Sequence, residues 1–303
     1  MKKAVLLPGF IYAAQLASMA QTRVVLIEQF TNSGCPPCAA SSPAVYQFAD
    51  AHPGEVVEIA YHTAFPYTDS MYLENPAEST QRVNYYSVSG VPHSVLDGNY
   101  YSGASGTFLP TIATTVNNRL TIAPNYSIQN LSLSLAGNTL NGTFEFTSLN
   151  DNNIADNVAA HIVLIEKNVL KNSYAASPGA NSENEYGYVM RKMLPDANGT
   201  VLLHKLLNEK DTVQFSWNLS HIKDINELRA VAFVQSNATK EILEAQVYTP
   251  QLSTAGIVEN KFLSGQVIAY PNPASDELML AFGRQEFITD IRFYNQLGEL
   301  MLL

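Results

Sequence analysis

The chain has 303 residues, only 15% of them charged, well below the roughly 25% of an average soluble protein. Its net charge of −10 gives a surface that repels phosphate backbones, which excludes nucleic-acid binding. No apolar run of membrane-spanning length follows the N-terminal stretch, so no transmembrane helix is expected. Asparagine occurs 26 times against 17 lysines and arginines together, a turn-rich composition suited to β-structure outside the cytosol. The length favours two domains and a short third.

Residues 1–20 read as a secretory signal peptide. Lys2 and Lys3 form its positive start, 4–17 its apolar stretch, and Ser18-Met19-Ala20 a small-residue cleavage site that leaves Gln21 first. Export through the inner membrane follows, into a compartment that permits disulfides.

Residues 21–122 alternate strand and helix patterns. Val24-Val25-Leu26-Ile27 is a continuous apolar run suited to a strand buried on both faces. A helical pattern over 39–51 stops at His52-Pro53-Gly54, and 56–61 is a second strand. Asn75-Pro76-Ala77-Glu78 has the cap, first-turn proline and N3 glutamate of a helix start, running towards Tyr86. A third strand over 91–96 turns at Asp97-Gly98 into Asn99-Tyr100-Tyr101. Phe108, Ile112, Val116 and Leu120 are spaced for a closing helix.

Over 123–250 the pattern becomes all-β. Alternation from Tyr126 to Leu133 turns at Gly137-Asn138 and resumes through Phe144 and Phe146. Further strands are expected at 161–166, 187–192, 201–206, 212–217, 229–235 and 242–248. Short strands with Asn/Gly turns are the signature of a β-sandwich. The polar stretch 172–183 is a long loop without an evident role, and 251–263 reads as a linker. From 264 to 303, Tyr270-Pro271-Asn272-Pro273 leads into alternating strand residues and the turn Asn295-Gln296-Leu297-Gly298.

The chemistry lies in Cys35-Pro36-Pro37-Cys38, the only cysteines in the chain. They follow a buried strand and open a helix, so Cys35 sits at the helix N-terminus. Unpaired amides and the helix dipole stabilise a thiolate there. Cys38, one turn on, is the more buried and serves as resolving thiol, which is what reversible disulfide exchange requires. An inert, permanently oxidised staple is the other reading of the pair. Zinc needs four ligands and only one such motif exists, so no metal and no cofactor beyond the disulfide is expected.

Around this motif the sequence resembles the thioredoxin fold. Gln29 and Phe30 precede Cys35 at the family's spacing, and Pro43 falls five residues after Cys38, where the family kinks its helix. Ser89-Gly90-Val91-Pro92-His93 looks like the family's cis-proline loop. The resemblance implies that Cys35 attacks, Cys38 resolves, and Val91 and Pro92 align a substrate strand. It leaves Pro43, Gln29 and His93 as structural support, with His93 a wall residue rather than a base. With its insert at 64–75, and the segments Val25-Leu26-Ile27-Glu28-Gln29-Phe30-Thr31 and Tyr188-Val189-Met190-Arg191-Lys192-Met193-Leu194-Pro195, the chain is similar to the 28-kilodalton outer-membrane protein family of thioredoxin-like surface proteins. Two departures stand out. Gln29 replaces the family's buried acid, with Glu28 beside it on the opposite strand face. Gly34 replaces the aromatic residue before the first cysteine, which leaves the thiol less covered.

The expected architecture is therefore an α/β thioredoxin-like domain, an all-β immunoglobulin-like sandwich and a short β C-terminal segment. The last resembles the first half of a type A C-terminal sorting domain of type IX secretion, in Tyr270-Pro271-Asn272-Pro273-Ala274-Ser275-Asp276-Glu277-Leu278 and Phe293-Tyr294-Asn295-Gln296-Leu297-Gly298-Glu299-Leu300. That resemblance implies the secretion machinery as a partner and a secreted or outer-membrane, cell-surface location, or a periplasmic one if the shortened signal does not act. Two functions fit the whole. One is thiol-disulfide exchange with protein thiols or disulfides. The other is a surface binding or adhesive protein in which the disulfide is only structural.

Overall fold

A computed structural model describes residues 22–151, 157–174 and 177–252, with short strand segments between 267 and 302. The expected leader lies outside the described residues. The chain divides after Leu252 into two units.

In the first unit β1 (Val25–Thr31) lies parallel to β2 (Val56–His62), with α1 (Pro36–Ala51) crossing between them. All seven residues of β1 are buried, as its unbroken apolar run requires. After β2 the chain makes a short helix α2 (Ser70–Glu74) inside the insert, then α3 (Pro76–Tyr86). β3 (His93–Leu96) pairs antiparallel with β1 and forms a hairpin with β4 (Tyr101–Ala104). Asp97 and Gly98 make that turn, both at positive φ. The closing helix is divided. α4 (Ser105–Phe108) passes through a 3₁₀ turn containing Pro110 before α5 (Ile112–Leu120). The strand-helix-strand, helix, hairpin, helix order is the one expected.

The α3 start differs in detail. Asn75 makes no side-chain cap. Its amide donates instead to Glu78 (2.6 Å) and to the Arg191 carbonyl (3.0 Å), while Glu78 accepts from the Met193 amide (2.6 Å) and pairs with Lys192. The residues of the expected capping box thus tie the helix to a strand more than a hundred positions away.

The second half of this unit contributes β5 (Tyr126–Ala136), β6 (Thr139–Ser148), β7 (Val158–Leu170), β8 (Glu185–Leu194), β9 (Thr200–Val201), β10 (Lys210–Asn218), β11 (Leu228–Ser236), β12 (Ile242–Tyr248) and β13 (Gln251–Leu252). They do not close into an immunoglobulin-like sandwich of their own. β12, β11, β7 and β8 continue the first sheet, joined through β8 to β2 in the order β12-β11-β7-β8-β2-β1-β3-β4. Only β10-β6-β5-β13 forms a second sheet. Residues on the two sides of position 122 therefore share one mixed sheet, and 22–252 belong to a single compact unit.

The reason is visible side chain by side chain. Along β7 and β11, Val163, Ile165, Val231 and Phe233 face the core shared with β1 and α1, whereas Ile162, Leu164, Ala230 and Ala232 face a second core beneath β5, β6 and β10. A strand with both faces apolar needs a layer on each side. The expected strand at 201–206 shrinks to β9, and Leu203, Leu206 and Leu207 lie exposed beyond it.

In the second unit β14 (Val267–Tyr270) pairs antiparallel with β15 (Met279–Phe282), and β16 (Phe293–Tyr294) with β17 (Leu300–Leu302). Residues 271–278 of the Tyr-Pro-Asn-Pro stretch lie outside the described residues.

Candidate functional site

Cys35 is the N-cap of α1, with Pro36 at its first position, where the missing proline amide costs nothing. Its Sγ is joined to Cys38 in a disulfide and accepts from the Cys38 amide at 3.1 Å. The Cys38 N–H, which also donates to the Cys35 carbonyl (3.2 Å), is thus aimed at the sulfur that would carry charge after reduction. Both cysteines are buried, Cys35 at 1% exposure and Cys38 at 0%. Pro43 lies inside α1, which runs unbroken past it.

The Val91–Pro92 peptide is cis, and the Val91 carbonyl oxygen lies 3.8 Å from Cys35 Sγ. Beside them runs an open groove of about 670 Å³, walled by Pro37, Ala40 and Ser41 of α1 and by Gly90, Val91, Pro92 and His93. No acidic or basic side chain other than His93 lines it. The His93 Nε2 lies 2.9 Å from the Ser102 hydroxyl and its ring meets Phe30 edge-on. Burial holds its imidazole below the usual value, so it stands in the groove as a neutral wall.

Gln29 is fully buried in a neutral network. Its Nε2 donates to Ser105 Oγ (3.0 Å) and its Oε1 accepts from Ser94 Oγ (2.6 Å). Glu28 points the other way, accepting from Arg82 Nε (3.0 Å) and from the Tyr86 hydroxyl (2.5 Å) beneath α3. The structure therefore brings Cys35, Cys38, Val91, Pro92 and His93 to one end of α1, puts Gln29 in the serine network beneath α4, and leaves Glu28 out.

The environment of the preceding loop differs from expectation. Gly34 does not open the site, because Tyr67 of the insert occupies the space. A Cβ at Gly34 would lie 2.6 Å from Tyr67 Cβ. Asp69 reaches back to accept from the Ser33 amide (2.6 Å) and pairs with His62 Nδ1 (2.7 Å), while its other oxygen caps α2. Burial works against its charge, but His62 and the Ser33 and Tyr72 amides hold its carboxyl below the ordinary range.

The polar stretch 172–183 supplies the remaining contacts. The Ser33 hydroxyl donates to the Pro178 carbonyl (2.8 Å), and the Asn181 amide donates to the Ser33 carbonyl (2.9 Å). Asn181 Nδ2 pairs with Glu183 and lies 3.5 Å from the Cys35 carbonyl. Gly179 packs flat on Ser33, where a Cβ would come within 2.3 Å of its backbone. Sequence reasoning missed Ser33, Asp69, Gly179 and Asn181. The one available signal was Pro178-Gly179 in a stretch too polar to be core.

Among the described residues, no group of three or more His, Cys, Asp and Glu is placed to hold a metal, and no helix is long and apolar enough to cross a membrane.

No family model and no curated protein sequence matches the chain. Solved structures do. HBP35 of Porphyromonas gingivalis superposes with a TM-score of 0.60 at 15% identity, covering 93% of this chain and 90% of that one. A protein of Agrobacterium tumefaciens superposes at 0.52 with 16% identity, covering 77% of this chain and 97% of that one. At these identities the likeness speaks for the fold. A domain of the outer membrane lipoprotein Omp28 from P. gingivalis reaches a TM-score of 0.30 at 11% identity, covering 43% of this chain and 92% of that one, too loose a superposition to bear on the argument.

Proposed function

We propose that the chain is an exported, thioredoxin-like protein of the cell surface that exchanges disulfides through Cys35 and Cys38. The observation that carries this reading is the disulfide at the N-terminus of α1, with Cys35 Sγ 3.8 Å from the Val91 carbonyl at the head of an open, uncharged groove. In reduction of a partner, the Cys35 thiolate attacks one sulfur of the partner's disulfide and the other sulfur leaves as a thiolate. Cys38, deprotonated, then attacks Cys35 Sγ, releasing the partner's second thiolate and closing the protein's disulfide. The reverse sequence donates the disulfide. Among the described residues the Val91 N–H meets no acceptor, so both backbone groups of Val91 are available to an incoming extended strand. The uncharged lining favours cysteines flanked by small and apolar residues.

Export rests on the charged and apolar leader at 1–20, and delivery to the surface on the resemblance of 264–303 to a type IX sorting domain, with the secretion machinery as partner. A second reading, a surface binding protein with a structural disulfide, draws on the near-complete burial of both sulfurs. Mixed-disulfide trapping separates the two. Cys38→Ser, incubated with a disulfide-linked peptide bearing apolar flanks, should accumulate an adduct at Cys35, and Pro92→Ala in that background should form it more slowly. An adduct no faster than that of glutathione in free solution would leave only the binding reading.

A further inference from the structure

Away from the cysteines, a cavity of about 310 Å³ is lined by residues of α3, β7 and the turns that follow β8 and β11. Its lining includes Gln81, Arg82, Tyr85, His161, Asn198 and Asn237, and it shares no residue with the groove beside the cysteines. His161 is buried to 3% exposure, yet neither ring nitrogen has a hydrogen-bond partner among the described residues. The Tyr85 hydroxyl, also buried, has none either. Buried polar atoms are nearly always paired, so three orphans on one cavity require an explanation.

The site is built rather than collapsed. The His161 ring stacks on Phe233 at 4.7 Å and 11°, and Gly199 passes so close that a Cβ there would lie 2.8 Å from the ring. Gln81 Nε2 donates to Asn198 Oδ1 (2.6 Å), tying α3 to the turn across the cavity. Arg82 is fixed by Glu28, Gln235 and Tyr86. The volume is that of some ten waters at about 30 Å³ each, far more than one bridging water fills.

We propose that this cavity binds a small, uncharged polyhydroxyl ligand of monosaccharide size. Carboxamide, phenol and neutral imidazole each donate and accept, which is the complement of a hydroxyl group. Burial, reinforced by Arg82, pushes the His161 pKa down to about 3, so the ring presents one donor and one acceptor. No carboxylate lines the cavity, and its only cation is already neutralised by Glu28. A charged ligand would be desolvated there without a counter-charge. Arg82 (4.8 Å) and Lys240 (5.2 Å) lie over the Tyr85 ring, so Tyr85 offers its hydroxyl, and Ala197 supplies apolar surface for the C–H groups of a sugar.

The test is a titration of the full chain with D-glucose, D-galactose and N-acetyl-D-glucosamine, followed through the imidazole resonances of labelled histidine. The His161 signals are assigned by their loss in His161→Phe. At least one sugar should shift them saturably in the millimolar range or tighter. Asn237→Leu, a change in a turn outside the core, should weaken that binding by about tenfold or more, the scale of a lost buried hydrogen bond. Binding should be the same in a Cys35→Ser/Cys38→Ser variant, so failure of disulfide exchange leaves this result untouched. His161 signals unmoved by all three sugars, as for a cavity filled only by water, or equal binding by Asn237→Leu, would overturn the proposal.

Discussion

Gly179→Ala probes whether the 177–183 segment holds the loop that carries Cys35. The new Cβ would stand 2.3 Å from the backbone carbon and oxygen of Ser33, and backbone cannot swing aside as a flexible side-chain tip can. Keeping both segments in place would mean an overpacking cost of about 1–3 kcal/mol or more. Lifting the segment instead gives up three hydrogen bonds, Asn181 N–H to Ser33 O, Ser33 Oγ to Pro178 O and Ser70 N–H to Pro178 O, at about 0.5–1.5 kcal/mol each. The loss is therefore roughly 1–3 kcal/mol or more by the first route and about 1.5–4.5 kcal/mol by the second, or local undocking at that cost. Urea unfolding measures the first, and hydrogen exchange at Ser33, Gly34 and Cys35 with the rate of disulfide reduction by dithiothreitol measures the second. Gly106→Ala is the control, because a Cβ there meets nothing within 4 Å. Wild-type stability in Gly179→Ala, with unchanged exchange and reduction rates, would refute the clamp.

Three further outcomes are expected. In the reduced protein, alkylation at stepped pH should label Cys35 at lower pH than Cys38, since the Cys38 amide points at Cys35 Sγ; equal or reversed labelling contradicts the helix-terminus argument. Burial raises the Glu244 pKa to about 8, so its proton is retained on folding and stability falls as pH rises from the unfolded value near 4.5 to 8, by on the order of 5 kcal/mol at about 1.4 kcal/mol per unit; Glu244→Gln should flatten the urea midpoint between pH 5 and 8, and an unchanged slope would count against this. Limited proteolysis should cut between 253 and 266 and spare the 123–124 junction, because strands from both sides of it share one sheet; an early cut at that junction would mean separable domains.

The first half of the unit was legible because its signals are local. An unbroken apolar run, a proline-opened helix after Cys35, and Asp97-Gly98 each act within a few residues. The joining of the halves was not, although part of the signal was present. His161-Ile162-Val163-Leu164-Ile165 is as continuous as Val24-Val25-Leu26-Ile27, and a sandwich strand with one wet face would have alternated. Which layer covers the second face is decided by β8 reaching β2, a pairing that no periodicity encodes. The site shows the same division. Cys35, Cys38, Val91 and Pro92 follow from short motifs, whereas Asp69, Gly179 and Asn181 act through long-range contacts whose partners their own neighbourhoods do not name. Gly34 illustrates the consequence, since the space a side chain there would fill is taken by Tyr67 of the insert.

The reduction potential of the Cys35–Cys38 pair, measured against glutathione buffers by trapping and mass shift, bears most directly on disulfide exchange. A value between about −270 and −120 mV, the span from thioredoxin to strong disulfide donors, is expected. A value below about −300 mV, where structural disulfides lie, would contradict exchange and leave Cys35–Cys38 as a staple.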